Sequence, residues 1–482
     1  MSAFDRRLER NEAYLRDKFD RCSDVVFRSV TLRDDTALLL VYLDGMTRLQ
    51  GVEDHLLHPL IMQDLAPGTD RVRTMTDWFR RERFPLANVA VADSLDDVMK
   101  QVLTGGMGIL LDGENAAIIA QVQGYETRGI QEPNKEATLR GSKEGFVEHL
   151  RTNTSMIRRR IVHPSLKMES FTIGEYTRTE VVVAYMEGVA EPRVLEEVRA
   201  KLNRIELDGV LDTAYLEEWL EGNALSIFSQ IHNTERPDIA AAGLIEGKVA
   251  ILANGTPFVL ILPITFWSGL QSADDYFERF VYVVLLRLIR YAMTFISFAL
   301  PAVYVSLTTF HPEMVPSYLM IGIATARESS PFPTMIEVFL MTFIFDGLQE
   351  AGVHLPNQLG PVVSIIGALV IGQAAVEAGI ISTPIIIVIS LTGVAAYTIP
   401  KYSAALPFRI IRYMMLFASG FLGFVGFAFG LIFLLIHLVM LESFGTPFLS
   451  PVAPLDRRRI KDWIVRYPFR AKGGPRKKGL RS

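Results

Sequence analysis

The sequence predicts an α/β soluble N-terminal region in two subdomains, followed by an α-helical polytopic membrane domain. Three observations predict it. The chain has 482 residues, more than one ordinary domain holds. Its mean hydropathy is +0.26, an average that hides a split. Residues 1 to about 245 are rich in charge, whereas residues from about 281 to 441 are mostly apolar. The first half also mixes strand and helix periodicities, and the second carries runs long enough to cross a bilayer. The expected layout is a first cytoplasmic subdomain over 1–130, a second over 131–270, a transmembrane helical domain over 280–445 and a basic cytoplasmic tail over 446–482.

The N-terminal stretch MSAFDRRLERNEAYLRDKF reads as a helix. It has no apolar core of the kind a cleaved signal peptide carries. The one cysteine, Cys22, excludes an intramolecular disulfide, so the soluble part need not face an oxidising space. TDWFRRERFPLANVAVADSLDDVMKQVLTGG reads as two helices around a short polar connection. MGILLDGENAAIIAQV, with Asp112-Gly113 between two apolar runs, reads as a hairpin. The glycines of TGGMG precede a strand and lack a following Lys-Ser/Thr, so they are a plain turn and not a phosphate loop. Residues 131–160 are polar, with a helix expected from near Ser142. TRTEVVVAYMEGVA reads as a buried strand and PRVLEEVRAKLNRIE as an amphipathic helix, an order that suggests the second α/β subdomain. VAILANGTPFVLILP is interrupted by Asn254-Gly255 and closes the soluble region as a β-hairpin.

Four to six membrane segments are expected beyond it. The run from Phe280 to Val305 is long enough to cross, with Arg287 and Arg290 near its start placed to snorkel or pair. PSYLMIGIATARESSPFPT is short and broken, hence interfacial or re-entrant. Helices follow over Thr334–Gly352, Pro361–Gly379 and Thr383–Ile399. The run from Phe408 to Leu441 is either one tilted helix or two close passes broken around Gly420, Gly423, Gly426 and Gly430. Lys401, Arg409 and Arg412 read as a cytoplasmic loop. Lys and Arg crowd residues 457–482 against Asp462 alone. Directly after an apolar run, such a tail anchors at anionic lipid headgroups on the cytoplasmic side, and this reading is preferred over nucleic-acid binding. With both termini in the cytoplasm, the number of crossings is even.

Enzyme constellations are not legible. The eight histidines are scattered without HExxH or a His/Cys cluster, so no metal or other cofactor is expected. The residues show no credible Ser-His-Asp set, P-loop or acid pair. The NTERPD turn, with Glu235, Arg236 and Asp238, could be a subunit contact, and the preferred reading is a salt-bridged structural turn.

Several long stretches resemble the A subunit of GerA-type spore germination receptors. They are EPNKEATLRGSKEGFVEHLRTNTSMIRRRI, HPSLKMESFTIGEYTRTEVVVAYMEG, FSQIHNTERPDIAAAGLIEGKVAILANGTPFVLILP, LPNQLGPVVSIIGALVIGQAAVEAGI and SFGTPFLSPVAP. They run in order from about residue 100 to the end. A related stage V sporulation membrane protein has a similar layout, and IGQAAVEAG and SFGTPFLSP resemble the receptor form more closely. The resemblance implies a multi-pass subunit in the inner membrane of a bacterial endospore, with its N-terminal domain and C-terminus in the spore core. It implies partnership with a transporter-like B subunit and a lipoprotein C subunit. It also implies nutrient sensing and a homo-oligomeric ring, a pentamer being one form, whose membrane part conducts ions.

The residues can then be asked what they could carry. On the Pro361–Gly379 helix, Val363, Ile366, Val370, Gln373 and Glu377 fall along one side at 100° per residue, with small residues elsewhere. In a ring that side would form an apolar constriction with a polar mouth. The bland alternative leaves Glu377 solvated beside Gly379. On the Thr334–Gly352 helix, Asp346 and Glu350 share one face with Phe339 and Phe343, and Glu337 stands nearly opposite. That helix either lies at the interface with its acids in water or borders a wet vestibule. Three functions compete: a channel-forming receptor subunit, a solute transporter, and a non-conducting signal-relay scaffold. A transporter should show an internal repeat with broken helices in matching halves, and none is visible.

Overall fold

The computed structural model describes residues 4–31, 36–48, 89–124, 136, 140–223, 225–328, 330–354 and 372–455. The described residues form two compact units. One takes the chain to residue 222 together with 231–263, and the other takes 223–230 and everything described from 264 onward.

The N-terminal unit is built on two five-stranded sheets, antiparallel throughout. The first holds β1 (Val25–Thr31), β2 (Ala37–Leu43), β3 (Val89–Ala92), β4 (Met107–Leu111) and β5 (Ala117–Ala120) in the order β1-β2-β4-β5-β3. The β4–β5 hairpin pairs Ile109 with Ile118. It turns through Gly113, whose left-handed φ of 84° suits glycine. Gly105 in TGGMG also has a left-handed φ, and β4 follows it, so this stretch is a turn. Helices α1 (Leu8–Lys18) and α2 (Leu95–Leu103) share a core with β2 and β4. In α2 the buried side chains recur at 95, 98, 99, 102 and 103, one helical face. Ser94 caps that helix by accepting from the Asp97 N–H at 3.2 Å. The second helix of the TDWF…LTGG reading is α2, whereas the start of that stretch, residues 76–88, lies outside the described residues. Val89–Ala92 is a strand, because β-branched alternation beside β5 outweighs helix propensity in so short a run.

The second sheet holds β6 (Leu166–Ile173), β7 (Thr179–Met186), β8 (His232–Thr234), β9 (Val249–Ala253) and β10 (Val259–Leu262) in the order β6-β7-β9-β10-β8. Helices α3 (Leu150–Arg160) and α6 (Pro237–Ile245) cover it through Met156, Ile157, Ala240 and Leu244. Between them in the chain lie α4 (Pro192–Leu202) and α5 (Thr213–Leu220). The helix expected from Ser142 starts at Leu150 instead. Residues 142–149 are spent on polar contacts, among them Arg160 to Glu144 at 2.6 Å and Arg236 to the Ser142 carbonyl at 2.9 Å. The NTERPD turn is salt-bridged as read, with buried Arg236 held by Asp238 at 2.6 Å.

The helical unit contains α7 (Phe280–Thr309), α8 (Ser317–Arg327), α9 (Thr334–His354), a short helical stretch over 372–377, α10 (Thr383–Tyr397) and α11 (Tyr402–Met440). Among the described residues, α7 and α11 are long and apolar enough to cross a membrane. α11 is a helical hairpin. Gly423 breaks it at φ 60°, ψ −141°. The Sδ of Met415 lies 2.5 Å from where a Cβ on Gly430 would sit. Fifteen residues of straight helix would separate those positions by about 22 Å. The arms therefore fold back on each other, and Gly426 packs on the backbone of Ala418. At 1.5 Å per residue they are about 31 Å and about 25 Å long. Of the two readings of this run, the structure takes the broken one, with two arms folded back at Gly423.

The helical unit is also wider than the expected 280–445. Ile264 donates to Ser443 at 3.1 Å, and the Trp267 indole donates to the Leu449 carbonyl at 3.1 Å. Phe266, Phe408 and Phe448 close around Phe228, so both flanks of the apolar region belong to its core.

Candidate functional site

The helical unit buries charge, and burying charge is costly unless each group finds a partner. α9 carries three acids on an otherwise apolar helix. Asp346 points at α11, where Arg412 reaches one carboxylate oxygen at 3.1 Å and the Tyr413 hydroxyl donates to the other at 2.7 Å. Arg412 is only 2% exposed, and its Nε donates to the Ser297 carbonyl of α7 at 2.8 Å. One guanidinium thus joins α7, α9 and α11. Glu350, one turn on, is 55% exposed and lies 3.8 Å from Arg409. Phe339 packs on Tyr413 and Phe417, so the face of Phe339, Phe343, Asp346 and Glu350 meets the first arm of α11. This corrects the loop reading of Arg409 and Arg412. Both are helical, and Arg412 is tolerated in an apolar run because a carboxylate and a carbonyl receive it.

Glu337 is fully buried on the opposite side of α9. It accepts the backbone N–H of Ser382 at 2.9 Å, where Ser382 is the N-cap of α10. A carboxylate there also meets the positive end of that helix's dipole. Its second oxygen lies 3.8 Å from Arg327 at the end of α8. A third node precedes α7. Asp275 is 1% exposed and receives Arg287 at 3.1 Å and Arg290 at 2.9 Å, so of the expected options these two arginines pair. Asp275 went unsuspected in the sequence, although the acidic pair Asp274-Asp275 stands just before the apolar run that holds both cations.

Gln373 and Glu377 are exposed, and the Gln373 amide donates to Glu377 at 2.9 Å. Val363, Ile366 and Val370 lie outside the described residues. No group of three or more His, Cys, Asp or Glu able to hold a metal occurs among the described residues.

The N-terminal unit has its own buried pair. Arg158 of α3 grips Asp24 through two bonds, at 2.7 and 2.9 Å, with both side chains shielded from water. Burial works against the charged guanidinium, but the facing Asp24 charge outweighs it and pushes the Arg158 pKa up. The pair joins the two subdomains beside a backbone bridge in which Ser23 donates to the Met168 carbonyl at 2.9 Å. Burial pushes the neighbouring Cys22 thiol up as well.

The family described as "Bacillus/Clostridium GerA spore germination protein" matches residues 13–476. Among relatives from Bacillus subtilis (strain 168), "Uncharacterized membrane protein YfkQ" is 41% identical over 93% of this chain and 86% of its own length. "Spore germination protein KA" is 38% identical over 96% of this chain and 85% of its own length. The crystal structure of the N-terminal domain of the A subunit of the Bacillus megaterium spore germinant receptor GerK3 is 30% identical. It covers 54% of this chain and 96% of that one, with a TM-score of 0.42. The chain belongs to the GerA family of spore germination proteins, the family of germinant-receptor A subunits.

Proposed function

We propose that this chain is the membrane subunit of a nutrient-sensing germination receptor and assembles with copies of itself into a cation-conducting ring. A pentamer is one such ring. It works with the B and C subunits in the inner membrane of the endospore, with its N-terminal unit and C-terminus in the spore core. The proposed pore side is Val363, Ile366, Val370, Gln373 and Glu377. The observation that carries this reading is a contrast between carboxylates. Asp275, Glu337 and Asp346 are turned inward onto guanidinium or backbone donors, whereas Glu377 stands exposed with Gln373 as its hydrogen-bond donor. An exposed carboxylate in an apolar helical unit suits a water-filled, cation-selective mouth in an assembly. Asp346 and Glu350 brace α11 through Arg412 and Arg409, and Glu350 is wet enough to border a vestibule.

The test is ion flux through the purified receptor complex in potassium-loaded proteoliposomes. Val370→Ala or Ile366→Ser should raise resting leak, and Glu377→Gln should change cation preference, with complex abundance unchanged. Well-assembled variants that leak and select like the parent would move the pore elsewhere. A second reading, a non-conducting relay, is favoured by the rigid ties on α9, and it predicts no nutrient-dependent flux from any variant.

A further inference from the structure

Five buried polar atoms gather where α7, α8, α9 and α10 approach one another, and none meets a hydrogen-bonding group among the described residues. They are Tyr304 Oη, Arg327 Nε, Thr334 Oγ1, Glu337 Oε1 and Ser382 Oγ. Their proximity rests on several contacts. Glu337 takes the Ser382 N–H at 2.9 Å and stands 3.8 Å from Arg327 Nε. Thr334 lies three residues before Glu337, on the same face of α9. Tyr304 packs against the cluster that holds Val338, next to Glu337, and Ile381, next to Ser382. Ser330 donates to the Ile380 carbonyl at 3.1 Å and draws the α8–α9 connection onto the start of α10.

We propose that this junction is a binding site for ordered water, which bridges Arg327 Nε to Glu337 Oε1 and satisfies the surrounding hydroxyls. At 3.8 Å the ion pair is too long for a direct hydrogen bond, but one water can bond to both ends. A buried water needs two to four polar partners, and this site offers a donor, an acceptor and three hydroxyls that serve as either. The chemistry argues against an ion. The guanidinium balances the carboxylate, so the site has no net charge with which to hold a cation or an anion. An unfilled carboxylate oxygen at zero exposure would carry the full desolvation cost of its charge. The site also has a mechanical consequence. None of the residues of α8 is buried, and Arg327 at its end is its charged tie to α9. The inference does not depend on whether the assembly conducts.

The test is hydroxyl-radical footprinting of the full receptor complex in oxygen-18 water. Tyr304 should take up label several-fold faster than Phe298, a buried aromatic of the same helix that sits in an all-apolar cluster. Replacing alkali cations in the buffer with an organic cation should leave the rate unchanged. Glu337→Leu should bring the Tyr304 rate down toward that of Phe298. If that variant does not accumulate, the near-isosteric Thr334→Val and the smaller Ser382→Ala serve instead, and each should lower the rate. Equal labelling of Tyr304 and Phe298 in the parent overturns the proposal. So does labelling that persists in the variants, which would mean bulk access, or labelling that follows the cation, which would mean an ion site.

Discussion

A fragment ending at residue 245, where the charge-rich half of the sequence gives way, should fail to fold, whereas one ending at Pro263 should succeed. The difference is the β9–β10 hairpin. Its strands sit inside the second sheet, β9 between β7 and β10 and β10 between β9 and β8. Cutting at 245 removes seven fully buried Val, Ile and Leu side chains: Val249, Ile251, Leu252, Val259, Leu260, Ile261 and Leu262. It also strips β7 of its pairing from Val181 to Ala184 and leaves β8 without a neighbour. At about 1.5–3 kcal/mol per buried side chain, the loss is about 10–20 kcal/mol. That equals or exceeds the whole stability of an ordinary domain, about 5–15 kcal/mol. The assay is urea unfolding of the two fragments followed by circular dichroism and tryptophan fluorescence. The longer one should be soluble and unfold in a cooperative transition. If the 1–245 fragment unfolds cooperatively with the same midpoint, the hairpin is not part of the core and the reasoning fails.

Three further outcomes can be checked on the same protein or in membranes. In the 1–263 fragment, Asp24→Ala should lose about 3–5 kcal/mol by urea unfolding because it strands a buried guanidinium, while Asp24→Leu with Arg158→Met should recover most of that. Glu169 is partly buried, which raises its carboxyl, but hydrogen bonds from Arg199 and Tyr185 win and hold it below 4.5. Its stabilisation is therefore complete above that value and is lost as pH falls through the lowered one. A urea midpoint that drops between about pH 6 and about pH 3 in the parent should drop less in Glu169→Gln. Gly423→Ala would force a side chain into a left-handed φ with its Cβ 2.9 Å from Phe310. It should sharply reduce full-length protein in membranes on an immunoblot, and normal abundance would argue against a hairpin turn there.

What the sequence made legible was local. The β9–β10 hairpin could be read because Asn254-Gly255 interrupts two apolar runs too short to span. The α4 helix could be read because its apolar period is complete within one segment. Strand β3 could not, because four residues of VAVA carry no period strong enough to separate strand from helix end. The site was half legible for the same reason. Geometry at 100° per residue correctly put Glu337 opposite Asp346, but the partners lie far away in the chain. Arg412 is 66 residues from Asp346, and Ser382 is 45 from Glu337. A lone arginine in an apolar run looks like a loop until the carboxylate that neutralises it is brought alongside.

The ties on α9 lead to a last prediction. Glu337 holds the start of α10 on one face, and nine residues on, about 180° around the helix, Asp346 holds α11 and through Arg412 the backbone of α7. Sliding α9 by one turn, about 5.4 Å, would pull both carboxylates from their donors at once. Two buried charges would then lack partners, at several kcal/mol each. Such a helix does not shift by degrees; it moves with its neighbours or not at all. Phe339 of α9 and Phe417 of α11 mark the seam, with ring centroids 5.5 Å apart. Cysteines at these two positions, joined by a short thiol-specific cross-linker, should therefore leave the nutrient response of spores unchanged, because the linked helices already travel as one body. The measurement is germination of cross-linked spores beside single-cysteine controls, with linkage scored by gel shift. If fully linked protein no longer responds while the single-cysteine controls do, α9 and α11 separate during signalling. The Asp346–Arg412 tie would then be a latch that opens and not a brace.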